Sequence, residues 1–396
     1  MKMIYADNAA TTCMSSAAKN AMLGYMDEHY GNPSSLHSLG QRAAEALQAA
    51  REAVAAQLGC AAQEIYFTGG GSEANNQAIL SAAAAGRAKG KRHIVSTAFE
   101  HHAVLHVLQK LEREGFEVTL LDVHECGVIA AQEVEAALRA DTCLVSVMYA
   151  NNEIGTIQPI AEIGAVCRRH GVLLHTDAVQ AAGHVPIDVK AQGIDMLSLS
   201  AHKFHGPKGA GALYVRCGVA LVPLIEGGAQ ERGKRGGTEN IPAIMGMAAA
   251  FGEACAKMDA QNEALKKLQD RLIDGLAVIP HAALNGERAQ RLAGNVSFCF
   301  EGVEGEALLL LLDRAGICAS SGSACTSGSL EPSHVLLAIG RPHEVAHGSL
   351  RLTLSAYNTA DEVEEILIAV PEVVHRLREL SPLWRDLQEG KKAHVI

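Results

Sequence analysis

Val172-Leu-Leu-His-Thr-Asp177 and Met196-Leu-Ser-Leu-Ser-Ala-His-Lys-Phe-His205 decide the fold. Each is an apolar run that stops on chemistry: Asp177 closes the first, and Ser200, His202, Lys203 and His205 leave the second. Runs this short and this apolar read as strands buried on both faces, as a parallel sheet covered by helices requires. Ligands collect at the carboxyl ends of such strands.

Outward from this pair, the sequence predicts further strands over 64–68, 93–97, 117–121, 144–149 and 212–215, many separated by helical stretches such as 102–114 and 160–170. An earlier helix carries Ala43, Leu47, Ala50, Val54 and Leu58 on one face, with Gly59 as its C-terminal cap. Near Gly252 the pattern changes. A long helix over about 253–277 leads to a strand at 295–300, a helix at 305–315 and strands at 317–320 and 349–355. Thr359 and Glu362 form a capping box that opens the final helix, which Pro371 is expected to kink or divide. The division expected is a large unit over 15–255 and a smaller α+β unit made of 1–14 and 256–396, with Lys391-Lys-Ala-His-Val-Ile396 as a loose tail.

The chain has 396 residues, 48% hydrophobic and 20% charged, which excludes disorder and collagen and calls for at least two cores. A formal charge of −10 disfavours nucleic acid and anionic lipid as partners. The aliphatic run Ala307–Leu312 is far too short to span a membrane, and the first residues lack an apolar signal core, so a cytoplasmic location is expected. Ten cysteines with no CxxC pair read as reduced thiols.

Four elements carry chemistry. A lysine is ordinarily a solvated surface charge, but directly behind a buried strand desolvation would make the amine of Lys203 available for a Schiff base. Asp177, at a strand end, is either structural or a counter-charge; beside such a lysine it could keep the pyridine nitrogen of pyridoxal phosphate protonated. Thr68-Gly-Gly-Gly-Ser-Glu-Ala-Asn-Asn76 is a glycine turn opening a helix, an anion site to which Gly71 and Ser72 contribute, or else plain loop geometry. Cys325 lies in Ala319-Ser-Ser-Gly-Ser-Ala-Cys-Thr-Ser-Gly-Ser329, flanked by small and polar residues, as an exposed nucleophile would be, whereas Cys318 suits the core. His202/His205 and His102/His106 lack a third ligand, so no metal is expected.

With these residues in place, the chain resembles the class V pyridoxal-phosphate enzymes of aminotransferase type, specifically the group I cysteine desulfurases of the nitrogenase-associated branch. The resemblance is carried by Ala6-Asp-Asn-Ala-Ala-Thr-Thr12, Gly31-Asn-Pro-Ser-Ser-Leu-His-Ser38, Glu100-His101, Ala150-Asn-Asn-Glu-Ile-Gly-Thr156, His175-Thr-Asp-Ala-Val-Gln180, Ser200-Ala-His-Lys203, Arg235-Gly-Gly-Thr-Glu-Asn240 and the segment from Ser320 to His334. It implies an aminotransferase-like fold of type I, with a mostly parallel seven-stranded sheet in the large domain. It implies pyridoxal 5'-phosphate linked to Lys203, with Asp177 at the ring nitrogen, Gln180 at the ring hydroxyl and His101 stacked on the ring and moving protons. Ser72, Gly71, Ser200, His202 and a second subunit's Thr238 would hold the phosphate, Asn152 would lie against cofactor and substrate, and Arg351 with Asn152 would grip the substrate carboxylate.

Cys325 would take sulfur from L-cysteine, leaving L-alanine, and pass it to an acceptor such as an iron–sulfur scaffold; a homodimer is implied. Ser72 stands where threonine is common, Ala201 where glycine is frequent, Cys13 where proline often follows, and Gly69-Gly70 replaces a more usual Ser-Gly or Ser-Cys; none removes a needed group. A selenocysteine or cystathionine lyase would share Lys203 and Asp177, and a non-catalytic scaffold could use the cysteines for iron–sulfur clusters.

Overall fold

The computed structural model describes residues 3–321 and 332–396. Its strands are β1 (Ile4–Tyr5), β2 (Ile65–Thr68), β3 (His93–Thr97), β4 (Glu117–Leu121), β5 (Thr142–Ser146), β6 (Leu173–Asp177), β7 (Met196–Ser200), β8 (Gly211–Val215), β9 (Ala282–Leu284), β10 (Asn295–Phe300), β11 (Ile317–Cys318) and β12 (Ser349–Thr353). β2 to β8 form one seven-stranded sheet in the order β2-β8-β7-β6-β5-β3-β4. β8 runs antiparallel to both its neighbours, and the remaining contacts in this sheet are parallel. The chain steps from β3 out to β4 and then back to β5 on the other side, so the order reverses between β3 and β5. A crevice at the strand carboxyl ends follows from that reversal.

β3, β5, β7 and β8 are buried at every residue, as strands covered on both faces are, with their Ser, Thr and His side chains inside alongside the apolar ones. Helices Gly71–Arg87 and His102–Arg113 cover the sheet through Ala78, Ile79, Ala82, Val104, Leu108 and Leu111. A second core gathers Ile4 and Ala6 with Leu272, Phe298, Leu350, Leu352, Ile366 and Val370 around the sheet β12-β10-β9. β1 reaches this core by pairing in parallel with β11. The helix Ile241–Ala277 starts against the first core and ends in the second.

Several expectations shift. The long helix starts at Ile241, capped by Asn240, rather than near 253. Pro371 neither divides nor ends the helix Ala360–Leu380, which Thr359 and Glu362 do cap as a box. The residues 391–396 are not loose: Glu301, buried at the end of β10, accepts from the Val395 amide at 2.9 Å and pairs with His394 Nδ1 at 2.5 Å. A buried carboxylate needs such partners, and the tail supplies them. No described helix is long and apolar enough to cross a membrane.

Candidate active site

The strand ends deliver one wall of a cleft. β7 runs into a 3-10 turn, Ala201–Lys203, and the Lys203 Nζ donates to the carbonyl oxygens of Ala9 at 2.5 Å and Ala10 at 2.8 Å. Asp177 closes β6 and is buried; Asn75 Nδ2 donates to it at 2.6 Å and the Val179 amide at 2.9 Å. Gln180 Nε2 donates to the same Ala9 oxygen at 3.0 Å. His101 follows β3 and caps the helix His102–Arg113, its Nδ1 accepting from the Ala103 amide at 3.1 Å. The ring proton therefore sits on Nε2. Burial holds His101 below the usual histidine range, Asp177 opposing and Lys203 adding to the effect.

The glycine turn lies beside this wall. Gly70 is the N-cap of the helix Gly71–Arg87 and no side chain caps that end, so its first N–H groups stay available. The turn tolerates no bulk: a Cβ on Gly71 would meet Val179 Cγ2 at 2.5 Å, and one on Gly211 would meet Gly70 Cα at 2.7 Å. Ser72 is exposed at the first turn and Ser200 is buried. His202 contacts Thr11 Oγ1 at 3.2 Å, and burial, with Lys203 and Lys208, pushes its ring down to about 4. Thr238 is exposed on the segment before Ile241. Arg235, three residues earlier, pairs with Glu73 at 3.0 Å.

The opposite wall comes from the second core. Arg351 on β12 is 4% exposed; its Nη2 meets Asp7 Oδ1 at 2.8 Å, its Nη1 donates to the Asn152 carbonyl at 3.1 Å, and its Nε has no partner among the described residues. Ser320 donates to Asp7 Oδ2 at 3.1 Å. Thus one short segment ties the walls together, with Asp7 holding Arg351 and the Ala9 and Ala10 carbonyls holding Lys203. A cavity of about 240 Å³ lies next to Lys203, lined in part by Asn8, Ala9, Gln180, His205, Thr353 and Tyr357.

Cys325 lies outside the described residues, but both flanks of its segment are anchored at this site. Ser320 bonds Arg351 through the backbone and Asp7 through its side chain. On the far side, the Ser333 hydroxyl donates to Glu153, and His334 Nε2 reaches the Glu100 carbonyl at 2.9 Å. Burial pushes Glu153 up to about 7 and Glu100 up to about 8. The sequence reading assigned no role to Asp7, Asn75, Glu153, Ser320 or Ser333. The Arg351 partner of Asp7 is 344 positions away, and no local spacing announces such a pair.

These residues fit pyridoxal phosphate. A lysine amine, a buried carboxylate whose hydrogen-bond partners among the described residues are an amide side chain and a backbone N–H, and an uncapped helix start match an aldehyde, a protonated ring nitrogen and a phosphate. Asn75 Oδ1 and Glu100 Oε2 are buried without hydrogen-bond partners among the described residues. Fold and site together thus define an enzyme of the pyridoxal-phosphate class.

Comparison with known proteins narrows this. Residues 4–366 match the aminotransferase class-V family. The chain is 55% identical over 382 residues to the cysteine desulfurase IscS of Methanosarcina thermophila, covering 96% of this chain and 94% of that protein. It is 51% identical over 394 residues to the cysteine desulfurase IscS of Clostridium botulinum, covering 99% of each. Among solved structures, a NifS-like protein superposes with a TM-score of 0.89 at 37% identity, covering 94% of this chain and 100% of the other. SspA in complex with cysteine superposes with a TM-score of 0.78 at 38% identity, covering 90% and 100%. The chain belongs to the class V aminotransferase family, among its pyridoxal-phosphate-dependent cysteine desulfurases.

Proposed function

We propose that the protein converts L-cysteine to L-alanine, holds the sulfur as a persulfide on Cys325, and supplies it to an iron–sulfur scaffold or another thio-acceptor. The observation that carries this reading is the segment from Asp7 to Ala10, which ties a buried arginine with an unpartnered N–H to the lysine amine. An amino acid offers the two groups such a pair takes, a carboxylate for Arg351 and an α-amine for the chemistry at Lys203.

Pyridoxal phosphate, when bound, supplies the aldehyde that Lys203 holds and a ring that draws electrons from the substrate's Cα. Asp177 would serve the ring nitrogen, Gln180 the ring hydroxyl, and His101 the ring face. Ser72, Gly71, Ser200 and His202 would hold the phosphate, with Thr238 joining them from the second subunit of a homodimer. Arg351 and Asn152 would grip the substrate carboxylate. Once displaced by substrate, the Lys203 amine takes the Cα proton as general base. The Cys325 thiolate then attacks the substrate sulfur: the new S–S bond forms, the Cβ–S bond breaks with its electron pair left on carbon, and protonation of that carbon, with the Cα proton returned from Lys203, gives alanine. His101, neutral and carrying its proton on Nε2, serves this proton traffic.

The test is a visible spectrum before and after adding L-cysteine, with alanine and sulfide quantified. Cys325→Ala is expected to keep the cofactor absorbance and lose sulfide release with a physiological reductant. Wild-type sulfide release by that variant would overturn the nucleophile assignment.

A further inference from the structure

Glu100 stands where the order of the sheet reverses, in the turn that leaves β3 and delivers His101. Its carboxyl is fully buried and joins the ends of β3 and β5: Oε1 accepts from the Thr97 hydroxyl at 2.6 Å and from the Met148 amide, just past β5, at 2.8 Å. The rest of the turn is fastened to the same neighbourhood. The Phe99 carbonyl accepts from Asn151 Nδ2 at 3.1 Å, and the Glu100 carbonyl from His334 Nε2 at 2.9 Å. Asn151 Oδ1 in turn accepts from the Glu153 and Ile154 amides, which shapes the loop that carries Asn152. The Glu100 side chain therefore sets His101, one residue on, against the segment of Asn152.

Both donors to this carboxyl fall on Oε1. Oε2 is buried with no hydrogen-bond partner among the described residues. As a carboxylate, Glu100 would bury a charged oxygen with no donor facing it; as the acid it buries one O–H, which costs far less. Burial, with the Asp177 charge at the end of β6 adding to it, pushes Glu100 up to about 8, and the hydrogen bonds from Thr97 and Met148 offset only part of this. The other titratable groups nearby do little for its anion. His334 reaches its carbonyl and not its carboxyl, and burial holds His101, His102 and His334 below the usual histidine range. Exposed His106 stacks on His102, one ring further out, and the Lys203 amine is turned to the Ala9 and Ala10 carbonyls.

We propose that Glu100, as the neutral acid, is a positioning residue for His101: it locks the exit of β3 against that of β5, and its ionisation unlocks the turn and sets an alkaline limit on turnover. Loss of the proton places a buried charge near Asp177, and the turn carrying His101 must shift to bring water or a donor to Oε2. The inference rests on the reading of His101 as the residue that moves protons at the cofactor ring.

Glu100→Gln keeps an oxygen for Thr97 and Met148 and cannot ionise, which separates this role from a merely structural one. The experiment measures kcat for alanine formation by the holoenzyme from about pH 7 to 9.5 in wild type, Glu100→Gln and Glu100→Ala. Titrations that the proteins share, including those of His101, Lys203 and Cys325, cancel in the ratio of Glu100→Gln to wild type, and that ratio is expected to rise at least about fivefold over this range. At pH 7, Glu100→Gln should stay within about threefold of wild type, whereas Glu100→Ala should lose about tenfold or more. Infrared difference spectra of the substrate-free holoenzyme between the same pH limits give a readout without turnover: wild type is expected to lose the carbonyl band of a protonated carboxyl that Glu100→Gln lacks. A ratio indifferent to pH, or identical infrared differences in wild type and Glu100→Gln, would overturn the role of Glu100. Failure of the wild-type holoenzyme to form alanine would strike the proposed reaction instead, with the infrared band still deciding the state of Glu100.

Discussion

The two walls of the cleft are built differently. The cofactor wall consists of strand ends in one sheet, so Asp177 and Lys203 each follow directly from a short apolar run. The substrate wall consists of contacts between distant parts of the chain: Asp7 with Arg351, Ser320 with Asp7, Ser333 with Glu153. A wall made of strand ends inherits its position from the sheet, whereas a wall made of distant pairs depends on every partner keeping its charge and hydrogen bonds. Substitutions in the first should therefore act on chemistry, and substitutions in the second on binding and on local stability.

The strongest challenge to this contrast is Lys203→Ala. It is expected to lower alanine formation roughly 10³-fold or more while leaving the unfolding midpoint nearly unchanged, checked by visible absorbance and thermal unfolding. Next comes Asp7→Asn, which removes the charge beside the buried Arg351 guanidinium. KM for L-cysteine should rise about tenfold with kcat changed less than threefold; a fall in kcat alone would place Asp7 on the chemical wall instead.

Glu153 sharpens the contrast through pH. Burial raises its folded pKa to about 7, above its unfolded value, so its contribution to stability is complete below the unfolded pKa and is lost as pH rises through 7. Glu153→Gln keeps an acceptor for Ser333 and removes that loss, so the variant should gain up to about 2–3 kcal/mol on wild type between pH 4.5 and 8.5. His175 works in the opposite direction: burial pushes it down to about 3, and its contribution is lost as pH falls below the unfolded value. Urea unfolding of both proteins at the two pH values separates the effects. The smallest expected change is Ser333→Ala, which removes the cap from the helix His334–Ala338 and the bond to Glu153. It should cost about 1–2 kcal/mol in the same assay.

The sheet was legible because burial on both faces leaves a local trace. β3, β4 and β7 fall on the expected residues, whereas β5 begins two residues before the expected start and ends at Ser146, short of the apolar run that continues through Val147 to Tyr149. The placement of Asp177 and Lys203 at strand ends was legible for the same reason. Asp7, Ser320 and Ser333 carry no period and no spacing rule, since their meaning lies in partners far along the chain. The tail was misread because Lys391 and Lys392 look like solvent-facing charge, and nothing nearby in sequence points to the buried Glu301.

The pairing of the first strand with late segments also sets a timetable. Residues 8 and 9 leave the ribosome some 344 residues ahead of the Thr353 carbonyl and hydroxyl that fix them. At synthesis rates of about 5–20 residues per second, that interval is roughly 17–70 s. The seven-stranded sheet is complete in sequence once residue 215 has been made, so for the last part of that interval the early segment has its sheet but must still be kept from wrong partners until β12 arrives to receive it.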